Sequence, residues 1–418
     1  MSATPDLPEA ELFTPEFRND PYPRYADMRL AAPIHKVETS AGVTTWLVSR
    51  YEDVEDLLRD PRFVKDYRNA LTAEELANME PQPEELRPLS EMMLSKDPPD
   101  HTRLRRLVSK AFTPRFMGEL RPRIQQIANE LLDEVEQRSR AEGEPSGQRR
   151  MDLIEDYAFP LPITVISEML GVPKEDRQKF RQWSNTAVSS DMSVEYAETL
   201  RSEMRAFTEY LRNLFEEKRA GPGDDLTSSL IRTEEEGDRL GEEELLAMVF
   251  LLLVAGHETT VNLIGNGALA LLTHPEQLQK LRDDPSLVKS AVEELLRFDG
   301  PVQMSTDRFA AEDLEFRGAN IQRGDIVLAV LGSADRDASI FNAADTLDIE
   351  RENNRHFAFG KGIHHCLGAP LARLEGEIAF STLLSRAPHL KLDATPEELD
   401  WRPGLLIRGL QRLPVAFG

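Results

Sequence analysis

Cysteine is all but absent from this chain: Cys366 is the only one in 418 residues. One thiol excludes an internal disulfide and a multi-cysteine zinc site. Positive charge is also short, with 50 Lys and Arg against 74 Asp and Glu and a formal net charge of −24. That balance argues against nucleic acid or an anionic membrane as the main partner, though it leaves room for a local basic patch. Long hydrophobic runs are missing as well. The longest, Leu245 to Ala255, falls short of the roughly 20 residues that span a bilayer. The first residues, MSATPDLPEAELF, have neither the basic nor the apolar region of a signal peptide. There is no repeat and no low-complexity segment. Together these absences predict a soluble, cytoplasmic protein without a membrane span; a monomer is expected. In a reducing compartment a lone thiol is inert core, a nucleophile or a metal ligand.

What is present is 40% apolar and 30% charged, enough for a large core. RAEGEPSGQRR (Arg140 to Arg150) and KRAGPGDD (Lys218 to Asp225) read as surface connections, too short for domain linkers, so one domain is expected over 1–418. Periodicity predicts helices at Tyr22–Leu30, Tyr51–Leu58, Arg103–Ala111, Ile124–Arg138, Ser193–Lys218, Glu242–Leu272 and Leu371–Leu384. IHKVET and VTTWLV read as a hairpin across Ser40-Ala41-Gly42. β structure is expected over about 31–50 and 314–330 and at the C-terminus, and Asp66 to Lys96 as a loop holding a short helix. The fold class is mainly α with a small antiparallel β region. The helix from Glu242, about 45 Å long, is apolar almost all round between Leu245 and Ala255 and should run through the core.

Four features carry chemistry. In FGKGIHHCLG the glycines Gly360, Gly362 and Gly368 allow a tight loop. Leu371, Leu374 and Ile378 then share a helical face, so Cys366 sits at or just before a helix N-terminus, where a thiolate is stabilised. A single sulfur there suits an axial ligand of haem iron, and an inert buried thiol is the plain alternative. AGHETT, Ala255 to Thr260, places a glycine and a carboxylate inside the apolar helix. Glycine costs about 1 kcal/mol there, and the acid is costly unless partnered. Gly256, Glu258 and Thr259 can open a turn and hold water for proton delivery, or the acid and alcohol can face solvent. In VEELLRF, Glu294 and Arg297 are spaced i, i+3; Leu287, Val288, Ala291, Val292, Leu295 and Leu296 form the apolar half, so spacing alone puts the pair on the surface. His101 and Arg105, at i, i+4, share a helix face, and Arg308 lies in STDRFA.

Phe359-Gly360-x-Gly362-x-His364-x-Cys366-x-Gly368-x-x-Leu371-Ala372 resembles the haem-binding loop of the cytochrome P450 family. The likeness runs from about Tyr22 to Phe417 with motifs in family order, and is nearest to the soluble bacterial, macrolide-hydroxylase-like branch. It implies a P450 fold with haem b between the helix at 242–272 and the loop at 359–368. Cys366 would be the axial ligand, with Phe359 packed near the sulfur and Gly360 and Gly368 shaping the loop. His101, Arg105, Arg308 and His364 would meet the haem propionates. Glu258 and Thr259 would be the acid–alcohol pair for oxygen activation, with Ala255 and Gly256 leaving room over the iron. Glu294 and Arg297, with Arg351 as third partner, would tie their helix to the segment before the cysteine.

The resemblance further implies a monooxygenase that inserts one oxygen atom of O₂ into a hydrophobic small molecule, by hydroxylation or epoxidation. Electrons would come from external NAD(P)H through a reductase and a ferredoxin docking on the cysteine side, where Arg105, Arg106, Lys110, Arg355, Lys361 and Arg373 are local positives. The pocket would draw on Met92, Met93, Leu94, Val188, Phe250, Leu251, Val254, Val302, Met304 and Leu410. A peroxide-driven enzyme, an isomerase or dehydratase, or a haem sensor would leave the acid–alcohol pair without a use.

Overall fold

The computed structural model describes residues 6–38, 43–79, 81–110, 112, 114–141, 149–188, 194–235 and 238–418. By internal contacts the chain forms two compact units: Met1–Thr72, Gln125–Pro160 and Thr259–Gly418 make the first, and Ala73–Ile124 and Leu161–Glu258 the second.

In the first unit the expected hairpin forms, Ile34–Glu38 antiparallel to Thr44–Val48 with Ile34 opposite Val48. Its turn lies outside the described residues. Ile326–Ala329 joins Thr44–Val48 in parallel, and Arg308–Ala310 and Phe63–Val64 complete a five-stranded sheet. No turn motif marks a parallel pair between distant segments, so periodicity did not signal it. Trp46, Val48, Val327 and Ala329 pack with Val54, Leu57 and Leu58 of the helix Tyr51–Arg59. Each such side chain contributes about 1.5–3 kcal/mol on full burial. A second sheet pairs Arg149–Asp152 and Lys391–Leu392 with the C-terminal strand Pro414–Phe417. The helix Val288–Asp299 packs on Ala369–Arg386, which begins just after Gly368 with a proline in its first turn.

In the second unit, Arg177–Val188 packs on Val194–Ala220. Phe180, Trp183 and Phe207 meet edge to face, and Phe250 closes on Phe207 at 5.4 Å. The Asp66–Lys96 stretch holds several short helices, the longest Ala73–Asn78. The helix Pro160–Met169 was not foreseen, because PLPITVISEM is a continuous apolar run with β-branched residues and fits a buried strand equally well.

The helix Glu242–Thr273 opens on Glu242, Glu243 and Glu244, which complement its positive end. It passes a membrane span's test of length and composition, yet 67% of its most apolar window is buried in the protein, as in a core helix.

Candidate active site

Backbone geometry shapes the cysteine loop. Gly360 and Gly362 have φ of 65° and 72°, the left-handed region that glycine enters without strain. A Cβ on Gly362 would stand 2.7 Å from the Leu58 carbonyl oxygen, so the loop rests directly on the end of the Tyr51–Arg59 helix. Gly362→Ala is therefore expected to cost about 1–3 kcal/mol through backbone strain, read as a lower thermal midpoint and a lower haem-to-protein ratio. The Cys366 N–H donates to the Phe359 carbonyl at 2.9 Å, and the thiol is exposed. An inert core cysteine is thereby excluded. No group of three or more His, Cys, Asp or Glu fit for a metal exists among the described residues. A single exposed sulfur suits a metal whose other donors come with its own macrocycle, as in haem.

Upstream of the loop, Glu294 and Arg297 are 0% and 1% exposed, against the surface placement that spacing alone suggested. The two form a double hydrogen bond, both contacts 2.8 Å. Arg297 also donates to the carbonyls of Asp335, Ala344 and Thr346 at 2.9, 2.7 and 3.1 Å. Glu294 accepts from the Asp348 N–H, from Arg351 Nε and from Asn354 Nδ2. Arg351 in turn donates to the carbonyls of Asn342, Ala343 and Thr346. The irregular segment 335–354 thus folds over the polar side of the helix, which a helical wheel leaves to solvent.

On the long helix, Leu251, Val254 and Thr259 are partly open and Ala255 is exposed, while His257, Glu258 and residues 260–268 are buried. Leu251, Val254, Ala255 and Thr259, with Leu252 and Gly256 also partly open, leave a patch uncovered in the middle of the most apolar helix. Glu258 is 2% exposed, which removes the solvent-facing alternative, and its Oε2 lies 3.7 Å from His257 Nε2. Gly256 also has a packing role that its sequence position did not signal. A Cβ there would meet Ile166 Cδ1 at 3.1 Å, so the glycine admits the helix Pro160–Met169.

The remaining expected residues lie on separate elements of the two units. In the second unit His101 and Arg105 share the helix Asp100–Ser109. His101 is buried, and burial, then the Arg105 charge, hold its imidazole below the ordinary value. In the first unit Arg308 is buried on its strand and donates to the Phe63 carbonyl at 3.2 Å, and His364 closes the short turn Gly362–His364. Of the cations near the cysteine, Lys361 lies 3.5 Å from Glu55 and Arg373 is held by Glu293. Met92 and Leu94 are partly open and Met93 is buried. Val302, half-buried, bridges to Ile407, and Leu410 is buried and bridges to Trp401. Met304 is engaged in a core cluster with Leu12, Phe17 and Tyr25. The Val188 side chain lies outside the described residues.

Two buried acids escaped the sequence reading. Glu375, on the helix after the cysteine, has neither oxygen in a hydrogen bond of normal geometry. Burial pushes it up to about 8, moderated only by the Thr260 hydroxyl. Its signal was an acid on the Leu371–Leu374–Ile378 stripe. Asp335 accepts the Phe357 N–H at 2.7 Å, and burial pushes it up to about 7, opposed by His356, that hydrogen bond and Arg297. Both acids keep their proton in the folded protein where the unfolded chain has lost it. Stability from them is greatest at or below the ordinary carboxylate range, falls as pH rises toward 7–8, and levels off above. Each contributes a loss of about 1.4 kcal/mol per pH unit across its window. Denaturant midpoints from pH 5.5 to 8.5 should fall more steeply for wild type than for Asp335→Asn or Glu375→Gln. The depressed His35 works in the opposite direction below its ordinary value and is common to all three proteins.

A glycine-shaped loop presenting one thiol, braced by a buried acid–arginine network, agrees with the family model that matches this chain, Cytochrome P450, over residues 41–408. The chain belongs to the cytochrome P450 family. Its relatives include Cytochrome P450 107B1 of Saccharopolyspora erythraea, 47% identical over 99% of both chains. Another is the Vitamin D(3) 25-hydroxylase of Pseudonocardia autotrophica, 46% identical over 98% of this chain and 96% of the other. Among solved structures, the bacillaene polyketide synthase cytochrome P450 PksS of Bacillus subtilis superposes with a TM-score of 0.88 at 44% identity, covering 97% of this chain and 98% of that one. This P450 is accordingly a haem-carrying oxidoreductase of the monooxygenase class.

Proposed function

We propose that this P450 inserts one oxygen atom from O₂ into a sizeable hydrophobic molecule, by hydroxylation or epoxidation, with Cys366 as the axial ligand of haem b. The observation that carries the reading is the open patch of Leu251, Leu252, Val254, Ala255, Gly256 and Thr259 beside the buried Glu258, midway along the most apolar helix. It supplies what oxygen chemistry on an apolar substrate needs: an apolar wall, a gap at a small residue, and a protected acid next to an alcohol. Haem, when bound, supplies the activation of dioxygen that no side chain offers.

The chain's own groups do the rest. Cys366 would hold the haem iron through its sulfur, in a loop shaped by Phe359, Gly360 and Gly368. Arg308, His364, His101 and Arg105 would hold the propionates through charge-assisted hydrogen bonds. Glu258 passes a proton through the Thr259 hydroxyl toward the reacting oxygen, and Ala255 leaves space there. Glu294, Arg297 and Arg351 brace the segment ahead of the loop. Leu251, Val254, Phe250, Val302, Leu410, Met92, Met93, Leu94, Met304 and Val188 supply the apolar contacts. Relatives named for vitamin D(3) and for polyketide assembly favour a large, mostly apolar substrate. The whole chain works as one cytoplasmic, monomeric P450 domain. Electrons arrive from NAD(P)H through a reductase and a ferredoxin-type carrier docking on the cysteine side, with exposed Arg355 among its contacts.

Isotope-labelled dioxygen tests the reading, supplied with a ferredoxin, its reductase, NAD(P)H and candidate apolar substrates. Product carrying one labelled oxygen, formed only with the electron donors, is expected. Label drawn from water, or turnover without electrons, contradicts it.

A further inference from the structure

Glu293 stands one residue before the buried Glu294 and makes a separate set of bonds. Its Oε1 accepts from Arg373 Nε at 2.6 Å, and its Oε2 accepts from Arg373 Nη2 at 2.9 Å and lies 3.1 Å from His356 Nε2. His356 Nδ1 accepts the Ala358 N–H at 3.2 Å, which assigns the proton to Nε2 and makes it the donor to Glu293. Burial works to raise the Glu293 carboxyl, but the bonds from His356 and Arg373 prevail and bring it down to about 2. Both partners also flank one ring. The Arg373 guanidinium carbon is 4.4 Å from the Phe359 ring centroid, and the His356 ring centroid is 5.9 Å from it. The carbonyl of this same Phe359 receives the Cys366 N–H.

We propose that Glu293, His356 and Arg373 are positioning residues that clasp Phe359 and thereby set the polarity and solvent access of the Cys366 thiolate, an inference that rests on reading Cys366 as the haem ligand. One carboxylate on the helix Val288–Asp299 reaches the chain just before the cysteine loop, at His356, and just after it, at Arg373. The Glu294 network braces the preceding segment 335–354; the Glu293 clasp closes the loop itself at both ends. The pairing has a second consequence. An unpaired guanidinium is drawn into water, whereas one held bidentately by a carboxylate stays stacked on its ring. The charge of Arg373 is therefore committed to the loop.

The test compares wild type, Glu293→Gln and Arg373→Lys as haem-loaded proteins, reduced and carrying carbon monoxide, in mild denaturant. The readout is the rate at which the long-wavelength Soret band of the thiolate-ligated form converts to the short-wavelength form, with helical content followed in parallel by circular dichroism. Gln removes the charge, and Lys keeps the charge but loses the planar, bidentate geometry. Both variants are expected to convert on the order of tenfold faster than wild type, with their helical unfolding midpoints unchanged. Conversion at the wild-type rate overturns the proposal, as does acceleration matched by an equal fall in helical midpoint, the mark of a merely structural role. If Glu293→Gln does not fold, Arg373→Lys decides by the same criteria. A wild type lacking the long-wavelength band removes the reading of Cys366 itself, a result distinct from failure of the clasp.

Discussion

Arg297→Ala is expected to leave almost no folded, haem-retaining protein. The guanidinium is wholly buried and makes five hydrogen bonds, two to Glu294 and three to carbonyls of the segment 335–346. Truncation strands the Glu294 carboxylate with only part of its counter-charge and takes a donor from the Asp335 and Ala344 carbonyls, while Thr346 keeps Arg351. Breaking a buried ion pair by removing one partner costs about 3–5 kcal/mol, and the lost carbonyl partners add to it. Net stabilities of roughly 5–15 kcal/mol leave little margin for that. Arg297→Lys should fare nearly as badly, because a single ammonium cannot replace a planar fork serving five acceptors. Soluble yield, haem-to-protein ratio and thermal midpoint check the prediction. A variant with wild-type yield and haem content would mean that the network is not what holds the segment ahead of the cysteine.

Glu258→Gln carries the second large effect, this time on rate. Glutamine keeps the size and the helix propensity of the side chain but has no ionisable proton. Loss of a positioned acid–base group slows a proton-dependent step by about 10²–10⁴-fold. Product formation should fall by that amount, with an enlarged solvent isotope effect. The affinity for apolar ligands should stay as in wild type, since Glu258 is buried and the open patch is lined by its neighbours. Thr259→Ala should lower product formation in the same sense. Full activity in both variants would assign the acid–alcohol pair a structural role and send the proton route elsewhere. Glu375 is then the next group to test, a buried acid that burial holds protonated beside Thr260.

Some of this was legible in the sequence for identifiable reasons. The cysteine loop announces itself because glycines are needed at fixed positions, and Gly360 and Gly362 do adopt left-handed backbone. The open face of the long helix was foreshadowed by a carboxylate and a glycine where apolar residues belong. The burial of Glu294 and Arg297 was not legible, because their partners are backbone carbonyls of an irregular segment that has no periodicity to read. The contact between Gly256 and Ile166 was not legible for a related reason. Ile166 sits on a helix whose apolar run is ambiguous between helix and strand. Met304 was assigned to the pocket by resemblance, and nothing in its local pattern signalled that it also packs in the cluster around Tyr25. Glu375 was visible all along as a charge on an apolar stripe, and only its burial shows what that charge costs.

The central claim is that Cys366 is the sulfur ligand of haem. Its most direct test is the absorption spectrum of the dithionite-reduced protein under carbon monoxide, wild type beside Cys366→Ser. A long-wavelength Soret band in wild type that is lost in the serine variant is the predicted result. A band that survives the substitution, or a wild type that binds no haem, would contradict the account.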